Sequence, residues 1–314
     1  MKKFFLDDFS SVCAQNGKEA IIRLLASDVL GEEQYEKLTL RYYDMSRNFD
    51  CVTEDAKNKP HSHYENCVAW NFSASIMPHG RYGRYYSDTT AVPIAITHTN
   101  FKDMRSKFIK DYHLDGAVVG LDLPTWFNLS SSRRVMIIAQ DPLRNPKWYH
   151  ECNTAICSSP FGQHGREWRE NGRGGKRISF LSRSLIDLGY GVYFTDAYKY
   201  YFCGWKDDSK YHVGLTKDPD TLQAYQDILS KEIEIVCPKI IVTLGNAAKK
   251  AVKNLIKRND VRVLSLPHFS GSAQGYFLSS ETYSRIKSQL RLKDNSIESQ
   301  ATVFAYAIIN NMEL

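Results

Sequence analysis

The run Val135-Met136-Ile137-Ile138-Ala139 is followed at once by Gln140-Asp141-Pro142. Five successive apolar residues bounded by polar and proline-rich sequence read as a short strand buried on both faces, the pattern of a parallel sheet. Pro142 cannot donate to a ladder and biases Asp141 away from helical torsions, so the chain leaves the sheet with a carboxylate at the strand's C-terminal end. That end is where open α/β sheets bind their ligands. Such a strand needs parallel neighbours and a helical cover.

The sequence supplies both. The segment from Ile178 to Leu188 reads as a helix, and Gly191 to Thr195 as a strand that ends at Asp196. A second helix is predicted from Asp220 to Val236, with Leu222, Tyr225, Ile228, Leu229 and Ile233 on one side. The strand Ile240 to Leu244, the helix Ala247 to Lys257 and the strand Arg262 to Leu266 follow, and then helices over Ser280 to Leu290 and Ile297 to Asn310. This alternation predicts an α/β fold with a mainly parallel sheet between helices. A long irregular connection is expected from Asp141 to Gly175. Upstream, Gly17 to Leu30, Glu32 to Tyr43 and Asn100 to Asp111 read as helices, and Gly116 to Leu129 as the approach to the first core strand. Residues 1–120 are thus expected to form a mostly helical N-terminal extension, and residues 121–314 the α/β domain.

Composition removes several classes of protein. No apolar run in the 314 residues is long enough to cross a bilayer, and Asp7-Asp8 interrupts any signal-peptide core. A cytoplasmic or nucleoid-associated protein without a membrane partner is expected. Seven cysteines without close CxxC pairs argue against a disulfide framework and a zinc ribbon. His61-Ser62-His63 with Cys67 lacks a second ligand pair, so no metal site is expected there. Residues 1–130 hold 15 Lys+Arg against 17 Asp+Glu, a net −2, which leaves 26 against 18, a net +8, in residues 131–314. The basic excess lies in the part of the chain that carries the expected ligand edge, as approach to a polyanion requires; a solubility bias is the competing account. His79 to Asp88 interleaves arginine, glycine and tyrosine, suited either to phosphate contact with base stacking or to a turn with packed tyrosines.

Two further strand ends give the pattern an identity. Leu244-Gly245-Asn246-Ala247 closes one, and Leu266-Pro267-His268-Phe269-Ser270-Gly271-Ser272 closes the next. Together with Gln140-Asp141-Pro142, their order and spacing resemble the uracil-DNA glycosylase superfamily, whose first motif ends in Gly-Gln-Asp-Pro-Tyr-His or a relative and whose second ends in His-Pro-Ser. The resemblance covers about residues 130 to 292. It implies a three-layer α/β/α fold with a central four-stranded, mainly parallel sheet, and a monofunctional DNA glycosylase that flips a pyrimidine base and hydrolyses its N-glycosidic bond. It also implies roles. Asp141 would position water and stabilise the cationic sugar, and His268 would donate to the base oxygen on which charge grows. Gln140 would line the base pocket through its backbone, and Phe161 would stack on the flipped base. Arg166, Arg169 and Arg173, in glycine-rich sequence, are candidates for phosphate contact, as are Ser270 and Ser272.

Departures from the family pattern carry information too. Leu143 stands where uracil-excising members often have Tyr, and Arg144 replaces the following His and can pair with phosphate. The leucine wedge is absent from Phe269 to Ala273, leaving Tyr276 or Phe277 as substitutes. In Phe194-Thr195-Asp196-Ala197-Tyr198-Lys199, Asp196 stands where some relatives have the Asn that reads uracil. An ionised Asp has only acceptors and suits the exocyclic amine of cytosine or a modified cytosine; a protonated one can still serve uracil. Cys203 and Cys237 lack an N-terminal CxxC pair, so neither an iron–sulfur cluster nor any other cofactor is expected. DNA is the expected partner, for a monomer without an obligate protein partner. A second reading keeps the fold and makes the chain a DNA-recognition protein for damaged or foreign modified DNA, without efficient cleavage.

Overall fold

A computed structural model describes residues 92–95, 99–122, 124–127, 131–140, 154–158, 173–207, 209–211, 219–256, 260–268 and 273–314. The helices expected over 17–30 and 32–43, the His61, His63 and Cys67 group and the 79–88 stretch lie outside the described residues. The strands are β1 (Val92–Ala95), β2 (Gly116–Asp122), β3 (Thr125–Phe127), β4 (Arg134–Ala139), β5 (Thr154–Ser158), β6 (Gly191–Asp196), β7 (Tyr200–Lys206), β8 (Ser209–Tyr211), β9 (Ile240–Leu244) and β10 (Arg262–Leu266). The helices are α1 (Thr99–Asp111), α2 (Arg173–Asp187), α3 (Pro219–Val236), α4 (Asn246–Val252), α5 (Gln274–Leu278), α6 (Glu281–Gln289) and α7 (Ile297–Asn310).

The strands form two sheets. In the first, of order β10-β9-β4-β6-β3, the four strands β10, β9, β4 and β6 run parallel and β3 adds an antiparallel edge. These are the expected parallel strands. β4 lies at the centre, and Val135, Met136, Ile137 and Ile138 are fully buried, as a strand covered on both faces must be. Burying each such side chain contributes roughly 1.5–3 kcal/mol before entropy is counted. Tyr193 and Thr195 of β6 turn toward α3, where both hydroxyls reach Glu232. By strand alternation Val192 and Phe194 face the opposite layer, which α2 and α7 build by packing on each other. Helices thus cover both faces of the parallel sheet, giving three layers.

The helix limits have local causes. Pro219 opens α3 at the first-turn position where a missing N–H costs nothing. The Ser296 hydroxyl caps α7 by accepting from the Ser299 N–H, and left-handed Asn311 closes it. The α4 helix stops at Val252, short of the expected Lys257, where the Leu255 N–H tightens the turn onto the Val252 carbonyl. The α2 helix begins earlier than expected, at Arg173.

The second sheet, of order β1-β5-β2-β7-β8, is mixed: β2 is parallel to β5 and antiparallel to β7. It corrects two expectations. The connection from 141 to 175 is not irregular throughout, because β5 lies within it and pairs with both β1 and β2. The approach to β4 is itself two strands, and the boundary drawn at residue 120 falls inside β2, whose hydrogen bonds go to β5 and β7 from the later part of the chain. The α1 helix covers this sheet, with Phe108 stacked on Phe202 at 5.5 Å.

Candidate active site

Parallel strands bring their C-terminal ends to one edge, and the register aligns them. Ala139 pairs with Asp196, Ile138 with Thr243, and Leu244 with Leu266. His268, Gly245, Gln140 and Asp196 therefore follow one another along that edge, with neighbouring strands about 4.8 Å apart. Among the described residues this is where the sequence candidates meet. Asp141, Leu143, Arg144, Phe161, Arg166, Arg169, Ser270 and Ser272 lie outside the described residues, as does the side chain of Arg173. Asp141 is joined directly to Gln140, the last described residue of the β4 end.

Each described candidate is positioned by its own local structure. The Gln140 carbonyl accepts from the Tyr198 N–H at 3.0 Å, and the Ala139 carbonyl accepts from the Ala197 N–H at 2.9 Å. The Gln140 carbonyl is thus committed to the turn after β6. Asp196 ends β6 almost wholly buried, at 3% exposure. The half-buried His268 follows Pro267 beyond β10, above the turn from β9 into α4. Gly245 makes that turn with φ +85, in the left-handed region, and its N–H donates to the Leu266 carbonyl at 2.9 Å. A Cβ at Gly245 would lie 3.9 Å from the His268 Cβ, so the turn runs close to the histidine.

Beyond β10, Tyr276 on α5 is the most exposed large hydrophobic side chain among the described residues, at 70%, while its neighbour Phe277 is fully buried against Tyr283 and Phe304. Of the two wedge substitutes, Tyr276 has the required access and Phe277 does not. The α5 helix is tied to α2 by Arg177, itself fully buried, which donates to Gln274 Oε1 at 2.7 Å.

Beneath Asp196 lies a buried polar cluster that the sequence did not announce. Asp122 Oδ2 accepts from the Thr195 hydroxyl at 2.6 Å, the Lys199 ammonium at 2.9 Å and the Asp196 N–H at 3.0 Å. Lys199 also pairs with Glu232 Oε2 at 2.6 Å and donates to the Thr195 hydroxyl, so its three protons are all used. Tyr193 donates to Glu232 Oε1 at 2.7 Å. Burial works against the Lys199 charge, but Asp122 and Glu232 outweigh it and raise the pKa above its ordinary value. Burial raises the Glu232 pKa, Lys199 opposes that, and Asp122 adds to it; the net direction is up. One signal was available in advance. Glu232 falls on the apolar side of α3, four residues after Ile228 and three after Leu229, where a solvated carboxylate does not belong.

The model of the uracil DNA glycosylase superfamily matches residues 127–291, just over half of the chain. The chain belongs to that superfamily. The match runs from the end of β3 to the end of α6 and so includes the whole candidate edge, the β7–β8 hairpin and β5, while β1, α1, β2 and α7 fall outside it. Superfamily membership supports a DNA glycosylase-type function with DNA as substrate. A comparison with curated proteins gives no match. Among the described residues no helix is long and apolar enough to cross a membrane, and no group of three or more His, Cys, Asp or Glu is arranged to hold a metal ion.

Proposed function

We propose that the protein is a monofunctional DNA glycosylase that extrudes a pyrimidine base and hydrolyses its N-glycosidic bond, leaving an abasic site. The observation that carries the reading is the gathering of Gln140, Asp196 and His268 at one strand edge within the superfamily match. Asp141, the next residue after Gln140, activates a water that attacks the sugar C1′. The bond to the base breaks with its electron pair on the base, and His268 donates to the base oxygen that gains the charge. Asp141 also stabilises the cationic character of the sugar. No lysine is assigned as an amine nucleophile, so the product is released by water alone.

Base selection falls to Asp196, with Gln140, Leu143 and Phe161 completing the pocket. An ionised Asp196 accepts from an exocyclic amine and favours cytosine or a modified cytosine, whereas a protonated Asp196 serves uracil. Arg144, Arg166, Arg169, Arg173, Ser270 and Ser272 hold the backbone phosphates, and exposed Tyr276 enters the stack in place of the base. The protein acts as a monomer on DNA, in the cytoplasm or on the nucleoid. The second reading, a recognition protein for damaged or foreign DNA, draws on Asp196 and on the absence of leucine from Phe269 to Ala273.

The test is base release from oligonucleotides carrying uracil, cytosine, hypoxanthine or a bulky modified cytosine, each followed by alkali cleavage. Release by the wild type that falls about a thousandfold in Asp141→Asn is the expected result. Equal release by Asp141→Asn would sink the mechanism, and binding without release from any substrate would favour the recognition protein.

A further inference from the structure

The Asp122 cluster is the largest assembly of buried charge described outside the residues given a chemical role, and it is poorly built for stability. Two carboxylates share one ammonium, and Asp122 Oδ1, buried at the end of β2, has no hydrogen-bond partner among the described residues. A cluster serving the fold alone gains nothing from unbalanced charge or an orphan oxygen, since apolar groups of the same size often do as well. Its geometry, by contrast, is directed. All three donors converge on the other oxygen, Oδ2, and one of them is the peptide N–H of Asp196. The next two peptide N–H groups, of Ala197 and Tyr198, are held by the Ala139 and Gln140 carbonyls. Three consecutive amides of the turn are therefore fixed, one by β2 and two by the strand that leads into Asp141. The Asp122 N–H in turn donates to the Lys199 carbonyl at 2.8 Å, closing the loop between the two sheets.

We propose that Asp122 is a positioning residue for base recognition, holding the Asp196 main chain at the depth where its carboxylate meets the extruded base. The proposal rests on the glycosylase reading above. Asp122 touches neither base nor sugar; it acts through the Asp196 peptide. Lys199 and Thr195 hold the Asp122 carboxylate, and Glu232 neutralises the ammonium it shares. Removing the acceptor frees one anchor of three, so the turn persists while Asp196 gains play. Discrimination between bases then suffers more than the bond-breaking step.

The experiment compares Asp122→Ala and Asp122→Asn with the wild type. The first has no acceptor; the second keeps a carbonyl oxygen that can still receive the Asp196 N–H. Two quantities are read: amide hydrogen exchange at Asp196, and the ratio of kcat/KM for the best base to that for the other bases of the panel. In Asp122→Ala the Asp196 amide should exchange about tenfold faster or more, and the ratio should shrink by about tenfold, chiefly through KM. Asp122→Asn should restore most of both. If Asp122→Ala does not fold, Asp122→Leu fills the same space without an acceptor and replaces it. A loss of activity equal for every base, or unchanged exchange at Asp196, would reduce Asp122 to a structural residue and overturn the proposal. If the wild type releases no base at all, the glycosylase reading fails by itself. The ratio is then taken from oligonucleotide binding, where the same value in wild type and variant overturns the positioning role independently.

Discussion

In the β10-β9-β4-β6-β3 sheet the strands β4, β6 and β9 are buried along nearly their whole length by Ile, Val and other apolar side chains, with Thr195 and Thr243 among the few polar exceptions. In the β1-β5-β2-β7-β8 sheet, β2 and β7 pair through Gly116, Gly120 and Gly204, and β2 ends on a buried carboxylate. The first sheet is held by apolar burial and carries the strand ends of the candidate site. The second delivers Asp122 underneath it. A fold can thus separate the sheet that makes a site stable from the sheet that makes it selective.

The sharpest break of this division is Lys199→Met. It leaves Asp122 and Glu232 buried together without a cation and should cost about 3–5 kcal/mol, read by urea denaturation near neutral pH. A loss below about 1 kcal/mol would mean that the sheets do not depend on the ion cluster. The pH dependence has a definite sign. In the wild type the raised Lys199 pKa makes its contribution complete below its ordinary value and lost as pH climbs through the raised one. In Lys199→Met that alkaline loss disappears. The deficit instead grows as pH rises above the ordinary carboxylate range, because Glu232, buried without its cation, favours holding a proton.

A smaller effect is expected from Gly204→Ala in the second sheet. Its Cβ would meet Leu114 Cδ1 at 2.3 Å and the Gly116 carbonyl at 3.0 Å, so β7 must shift against β2 at a cost of about 1–3 kcal/mol. If the division holds, thermal denaturation shows the loss while His268-dependent base release changes little. The smallest effect belongs to Lys239→Ala. This lysine pairs with Asp260 at 3.0 Å, yet both side chains are half exposed, so the expected change is within about 0.5 kcal/mol. A loss as large as that of Lys199→Met would erase the distinction between buried and solvated ion pairs on which the comparison rests.

The sequence made the two sheets legible to very different degrees. β9 and β10 were readable to the residue because short segments rich in Ile, Val and Leu, bounded by polar residues, have few alternatives. The α7 helix, expected over Ile297 to Asn310, has those limits, and the structure adds the Ser296 cap that fixes its start. β2 was not readable, since Gly-Ala-Val-Val-Gly-Leu-Asp carries two glycines and gives no clean alternation. β5, in Thr-Ala-Ile-Cys-Ser, and β7, in Tyr-Tyr-Phe-Cys-Gly-Trp-Lys, gain their partners only from distant segments. Tyr276 could be named as a wedge candidate from its place after His268, but its exposure, and the burial of Phe277 beside it, depend on how α5 lies on α6 and α7. Asp122 and Lys199 were invisible as a pair because 77 residues separate them. Glu232 alone betrayed itself, by sitting on an apolar stripe.

That separation has a consequence for how the molecule assembles. Asp122 must meet Thr195 across 73 residues and Lys199 across 77, so neither contact forms until β2 has reached the end of β6. Contacts so far apart along the chain repay their loop-closure entropy only at the end. A partly folded chain holding its parallel strands but lacking β2 would keep the Lys199–Glu232 pair and lose the Asp122 carboxylate that Lys199 shares with it. The cluster is therefore completed only where the two sheets meet, and any state that lacks β2 lacks it.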